Sequence, residues 1–522
     1  MTGSTAPAGR WGAVAATAWY GVALVAVAGL GLVNLFHPFG EDQALYMTGA
    51  RAMRDGATLY IDFWNNKQPG VFLFYYFYYA AGRLFGFTEA GLHALELIWL
   101  GVFSLVLVAT LRPWLRRPWL SALAPVAIVG VYYANAFEEV LSQPEILVAL
   151  PTYLSVWLAA KDHGSRRGMA AAFLASGACA AVTVAFKLVL APLFVVLWLA
   201  VSADLLVRRR STWAEILFHA WVPVSLGVVS VLVLVAGGFW FAGALKPMLW
   251  TSFVWPLEAI GEVRRAPATR LLTAGGWLAG SFAPWLLFVA IALVAWNRIV
   301  TVMVVWIIAA TALILIQSIS WWTYHTLLLF PPIGVLAVLG IDRALAFFDE
   351  RSDGRPVTIV MAATVLAVTL AMSQLTPFLR KTDKVLGSLI SAKAGIAAYQ
   401  RDVSRRYQWA SKAVRFLRRG GVLPGPVYVL GDPLVQYLSG RPQAPAASGW
   451  VYEWSPSSMW RRLPDELAAA RPSYVYIETA FRKSSAHDWQ RLQARLDEDY
   501  TLISKDSHGV WYRLREADPV GD

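Results

Sequence analysis

The sequence predicts a polytopic α-helical membrane protein of about eleven transmembrane helices, with interfacial helices in its first outer loop and a small C-terminal α/β domain. Three observations predict it. Of 522 residues, 57% are hydrophobic and 15% charged, with a mean hydropathy of +0.51. A soluble domain needs roughly 25% charged residues to coat its surface, so lipid must cover much of this chain. Apolar runs long enough to span lipid recur as far as residue 378, and the loops between them alternate in charge.

The first run follows Arg10 and extends from Trp11 to Phe36. It is too long for the apolar core of a signal peptide and ends in no small-residue cleavage site, so it reads as a retained helix. The spans fall near 12–36, 91–111, 119–135, 144–160, 169–186, 188–205, 214–240, 273–296, 299–317, 325–341 and 356–378. Lys187 and Pro192 interrupt the pair 169–186 and 188–205. With the N-terminus inside, the cytoplasmic loops hold Arg112, Arg116 and Arg117; Lys161, Arg166 and Arg167; Arg208, Arg209 and Arg210; Arg298; and Arg343, Arg351 and Arg355. The opposite loops hold Glu41, Asp42, Glu138, Glu139, Glu258 and Glu262, with Lys67, Lys187, Lys246, Arg264 and Arg265. That bias satisfies the positive-inside rule and puts the residues after about 379 outside. It also accounts for the net charge of +12 without a nucleic-acid partner. The 25 tryptophans and 20 tyrosines suit two aromatic belts. A single cysteine, Cys179, excludes an intrachain disulfide and a cysteine-based metal site.

Gly70–Phe87 is aromatic and short for a span, so it reads as a helix at the outer interface. Three segments follow from this: a transmembrane module at 1–378, a basic amphipathic linker at 379–420 resting on the membrane surface, and an extracytoplasmic α/β domain at 421–522. In the last, Pro424–Gly431, Tyr474–Glu478, Tyr500–Ser504 and Val510–Leu514 read as strands and Ser485–Asp497 as an amphipathic helix.

Two features on the outer side could carry chemistry. The first is Glu41-Asp42 with Tyr60, Asp62 and Lys67 in the loop after the first span. A carboxylate at the bilayer surface can accept a proton from a hydroxyl, and a lysine can act as a point charge on a phosphate. The acids could equally cap a helix over 41–55. The second is Tyr324-His325 at the outer end of a helix, where histidine can bond a phosphate or sugar, or simply join the aromatic belt. Lys187 is costly between two helices unless it snorkels or meets an anion. Loop 241–271, with Trp250, Trp255, Glu258, Arg264 and Arg265, is long enough to close over a site. Glu96 is the exception among spans that otherwise lack a mid-helix acid, and no internal repeat is visible; both points weigh against a transporter or flippase. A non-catalytic membrane scaffold is the other alternative.

The pattern carried by Asp42, Ala44, Leu45, Tyr46, Ala50, Met53, Gly56, Tyr60, Asp62, Phe63, Lys67 and Pro69 resembles the first outer loop of the GT-C membrane glycosyltransferases. It is nearest the glycosyltransferase family 39-like branch of protein O-mannosyltransferases and lipid A aminoarabinose transferases. Gln43 stands where that loop usually has its second acid, and Asn66 stands before the lysine. Tyr324, His325, Leu328, Pro331 and Pro332 resemble the family's late helix start. The loop 135–146 matches in position one that holds a further acid, with Glu138, Glu139 and Glu145 as candidates. The resemblance implies an inverting glycosyltransferase of the plasma (inner) membrane. It would move a sugar from a polyprenyl-phosphate donor to a lipid, glycan or protein acceptor on the outer face. Asp42 would then be the base, with Glu41, Tyr60 and Asp62 lining the substrate site. Lys67, Arg264, Arg265 and His325 would stabilise the leaving phosphate. No cofactor is required by the residues, and a divalent metal is possible.

Overall fold

The computed structural model describes residues 10–81, 89–208, 211–260, 262, 265–294, 296–351, 368–390, 395–418, 422–479, 481 and 489–515. Arg264, most of the 356–378 run and the ends of the segments expected over 70–87 and 485–497 lie outside them. Seven of the described helices are long and apolar enough to cross a membrane, and Ala18–Leu32 and Pro144–Ala160 are shorter apolar helices. The chain is a multi-pass membrane protein.

Most of the expected spans are continuous helices: Glu89–Leu111, Arg166–Phe186, Ala191–Val207, Val222–Phe241, Ala268–Val294, Arg298–Ile316 and Phe330–Arg351. Two of the expected spans are broken instead. Residues 118–135 are a stack of 3₁₀, α and π turns punctuated by Pro118 and Pro125, because proline cannot donate to the helical ladder. Residues 144–160 divide at Val148. Pro151 has no N–H for the Leu147 carbonyl four residues back, and Trp99 Nε1 donates to that carbonyl at 2.8 Å.

Small residues set the helix crossings. A Cβ on Gly177 or Gly227 would collide with backbone of the partner helix, at Val224 and Leu174 respectively. Helices 166–186 and 222–241 therefore approach backbone to backbone. At one end of the bundle the loop cations are paired with acids. Arg298 reaches Asp204 at 2.6 Å and Asp162 at 3.1 Å. Arg117 reaches Asp342 at 3.5 Å, and Arg116 reaches Glu350 at 3.0 Å.

The opposite end carries the first loop and the tail. Helices Glu41–Arg54 and Pro69–Ala81 lie there, as do Gly395–Val403 and Arg405–Ala413 of the tail. Lys381 pins the beginning of the tail to the bundle. Its Nζ donates to Asn34 Oδ1 at 3.0 Å, to the Tyr133 carbonyl at 2.9 Å and to the Ala136 carbonyl at 2.5 Å.

The C-terminal sheet has four strands, β1 (Val427–Leu430), β2 (Tyr474–Glu478), β3 (Tyr500–Lys505) and β4 (Gly509–Leu514), in the order β1-β2-β4-β3. β1 and β2 are parallel, and β4 is antiparallel to β2 and β3. The crossover from β1 to β2 carries helices Pro433–Ser439 and Ser457–Ala470, and Trp489–Asp499 precedes β3.

The domain is tied to the bundle. Trp64 N–H donates to the Ala446 carbonyl and Ser448 N–H to the Trp64 carbonyl, both at 2.9 Å. Glu262 accepts from Ser457 N–H at 2.8 Å. At the same junction, burial and then the Asp432 charge push the Glu478 carboxyl from an ordinary 4.5 up to about 7. Arg406, Glu453 and Tyr476 share that junction. The folded domain keeps this proton where the unfolded chain has lost it, so the contribution of Glu478 to stability is full below about 4.5 and is lost as pH rises through about 7. Amide exchange across β2, corrected for intrinsic rates, is expected to be faster at pH 8 than at pH 5 in the wild type, with the difference reduced in Glu478→Gln. Greater protection at pH 8 would contradict it.

Candidate active site

The first-loop helix begins at Glu41, after Gly40, and its capping group is neither acid. Gln43 Oε1 accepts from Gly40 N–H at 2.8 Å, while Gln43 Nε2 donates to the Glu138 carbonyl at 2.7 Å and to the Leu141 carbonyl. A carboxylate there could not make the last two bonds, which explains an amide at this position. Asp42 is thereby left free in the first turn. It is 7% exposed, and its Oδ1 lies 3.6 Å from Lys67 Nζ with no hydrogen-bond partner.

Lys67 is positioned by its own loop. Tyr60, at a left-handed φ of 71°, donates its hydroxyl to the Lys67 carbonyl at 2.7 Å. Pro69 opens the following helix at a position where its missing N–H is no loss. A Cβ on Gly70 would sit 2.7 Å from the Ala185 carbonyl, so only glycine lets this turn press against the end of helix 166–186. That contact brings Lys67 and Lys187 to one place.

Lys187 does not snorkel. It pairs with Glu145, whose side chain is fully buried, and His325 Nε2 lies 3.7 Å from the same Glu145 oxygen. Tyr324 joins the two ion pairs. Its hydroxyl interacts with Asp42, and its ring centroid is 6.0 Å from Lys187 Nζ.

Lys67, Glu145, Lys187, Tyr324 and His325 line one cavity of about 300 Å³. Trp255 walls it, so the segment expected as a loop at 241–271 is a run of short helices through 245–260. Trp64 is packed between Trp250 and Trp255, with centroids 5.9 and 6.0 Å away. Trp450 and Trp454 of the C-terminal domain cover the cavity, and Lys67 Nζ lies 5.3 Å from the Trp450 ring.

The remaining expected site residues lie elsewhere. Asp62 is exposed, and its carboxylate accepts from Thr58 N–H at 2.8 Å, closing a turn. Arg265 is exposed. Glu41, Glu139 and Asp432 converge on Arg406, the last two at 3.7 and 3.3 Å. Glu138 accepts from Ser404 Oγ at 3.0 Å and lies 3.7 Å from His37. These acids dock the tail rather than line the cavity. Burial raises the carboxyls of Glu139, Glu453 and Asp432. Among the described residues no group of three or more His, Cys, Asp or Glu side chains is arranged to hold a metal ion. Sequence reading missed Trp450, Trp454 and Arg406. The only signal was a tryptophan-rich run at 450–460 in an otherwise polar tail.

No family model and no curated protein matches this chain. Solved structures do, two of ArnT among them. The crystal structure of ArnT from Cupriavidus metallidurans bound to undecaprenyl phosphate is 15% identical, with a TM-score of 0.58, over 97% of this chain and 98% of that one. The same protein in the apo state is 16% identical, with a TM-score of 0.59, over 95% and 98%. At such identity the likeness is one of architecture: this chain folds as ArnT does over nearly its whole length, the GT-C fold that its loop motifs resemble.

Proposed function

We propose that the chain is a membrane glycosyltransferase that moves a sugar from a polyprenyl-phosphate donor to an acceptor hydroxyl at the outer face of the membrane. The observation that carries this reading is the cavity itself, where Lys67 and Lys187 stand with Glu145 beneath a tryptophan cover, and Asp42, not itself in the lining, lies 3.6 Å from Lys67 Nζ. The fold of a protein solved with undecaprenyl phosphate supports it.

In this reading Asp42 takes the acceptor proton as the acceptor oxygen bonds to the anomeric carbon. The carbon–oxygen bond to the phosphate breaks, and polyprenyl phosphate leaves with the electron pair. Charge grows on that leaving oxygen in the transition state, where preorganised cations act most strongly. Lys67 and Lys187 supply two ammonium groups there. Attack opposite the leaving group inverts the anomeric carbon, by analogy with single-displacement glycosidases.

The test is turnover by the reconstituted protein with undecaprenyl-phosphate sugars, scored by release of undecaprenyl phosphate. Turnover of nucleotide sugars instead would overturn the reading, and chelation in the same assay decides whether a divalent metal takes part. Lys67→Ala is expected to weaken donor binding roughly ten- to a hundredfold, the weight of one or two charge-assisted hydrogen bonds. Unchanged affinity would remove Lys67 from the phosphate site. Asp62 is exposed in the same first loop as Asp42 and Lys67, so a cysteine placed there reports sidedness. Labelling from the cytosol would sink the outer-face assignment.

A further inference from the structure

Glu96 has no part in the chemistry above, yet it is fully buried two turns into helix Glu89–Leu111. An ionisable group at such a depth in a span is costly unless the fold makes use of it. Its partners show the use. Glu96 Oε1 accepts from Ser142 N–H at 3.0 Å and from the Tyr132 hydroxyl, and Oε2 accepts from Ser142 Oγ at 2.9 Å. His93 Nδ1 lies 3.5 Å from Oε2. Ser142 has a φ of 53°, a left-handed conformation that a serine rarely adopts without support. From the other side, the Tyr75 hydroxyl donates to the Ser142 carbonyl at 3.1 Å.

Three residues beyond this elbow stands Glu145, the counter-ion of Lys187. The helix that carries Glu145 starts from the elbow, with Ile146 and Leu147 N–H groups donating to the Gln143 carbonyl at 3.1 Å. We infer that Glu96 is a positioning residue: it clamps Ser142 in the left-handed elbow and so holds Glu145 against Lys187 in the cavity. A glutamine at 96 has one acceptor atom in place of two, and its Nε2 can meet Ser142 Oγ only as a donor, which reverses that bond and turns the hydroxyl proton away. It therefore keeps the shape and weakens the clamp.

The inference rests on the proposed transfer reaction for its kinetic arm alone. The deciding measurement is amide exchange in the intact, reconstituted protein without substrate. In Glu96→Gln, exchange at Ile146–Val148 is expected to rise at least tenfold, with helix 89–111 keeping wild-type protection. Unchanged exchange at 146–148, or equal loosening of helix 89–111, would overturn the inference. In the kinetic arm, Glu96→Gln and Ser142→Ala each lower kcat, and the double variant is no worse than Glu96→Gln alone, because both act through one contact. Additive losses would also overturn it. A wild type that transfers no sugar counts against the proposed function, and the exchange result then decides this inference unaided.

Discussion

Replacing Asp42 with asparagine is expected to lower kcat roughly a thousandfold while the protein inserts and purifies as the wild type does. The substitution is nearly isosteric, and the helix does not need the carboxylate, since Gln43 makes the caps. What is lost, in the proposed reaction, is a base whose Oδ1 is buried, unbonded and 3.6 Å from Lys67 Nζ. Donor affinity should change much less than kcat, because Asp42 acts on the acceptor in this reading. Single-turnover measurements with saturating donor separate the two, and a wild-type rate for Asp42→Asn would assign the base elsewhere.

The second large effect falls on stability as well as activity. Glu145→Ala leaves the Lys187 ammonium in the cavity without its carboxylate. Breaking a buried pair from one side costs roughly 3–5 kcal/mol, because the surviving charge is not resolvated. The thermal midpoint in detergent should therefore fall by several degrees. Replacing both partners with apolar residues of similar size, Glu145→Leu with Lys187→Met, should recover most of that loss and none of the turnover. If Glu145→Ala unfolds with the wild type, the pair is solvated and the cavity is wetter than the structure has it. The double variant also distinguishes the roles of the two lysines. Lys67 sits 26% exposed at the cavity edge, whereas Lys187 is held beneath it by a fully buried acid.

Much of this was legible along the chain. The spans follow from runs of apolar residues, and the sorting of cations into alternate loops follows from counting charges. Asp42 and Lys67 lie 25 residues apart in a loop with its own turn signals, so a local motif could announce them. The strands of the tail were visible as short β-branched and aromatic runs. Lys187 was recognisable as costly, but its anion was not. The three acids of the loop 135–146 look alike in sequence, and only packing separates Glu145, beneath Lys187, from Glu138 and Glu139, which face Ser404 and Arg406.

Hydropathy and turn chemistry act over neighbouring residues, so the membrane-embedded architecture and the first-loop pair can be read along the chain. Only tertiary packing puts Glu145, Lys187 and His325 in one cavity with Lys67 and lays Trp450 and Trp454 of the tail over it. Contacts between residues 145, 187, 325 and 450 depend on how helices cross and where their ends meet. Glycines that let backbones touch, such as Gly70 against Ala185, set those crossings, and no local pattern records them.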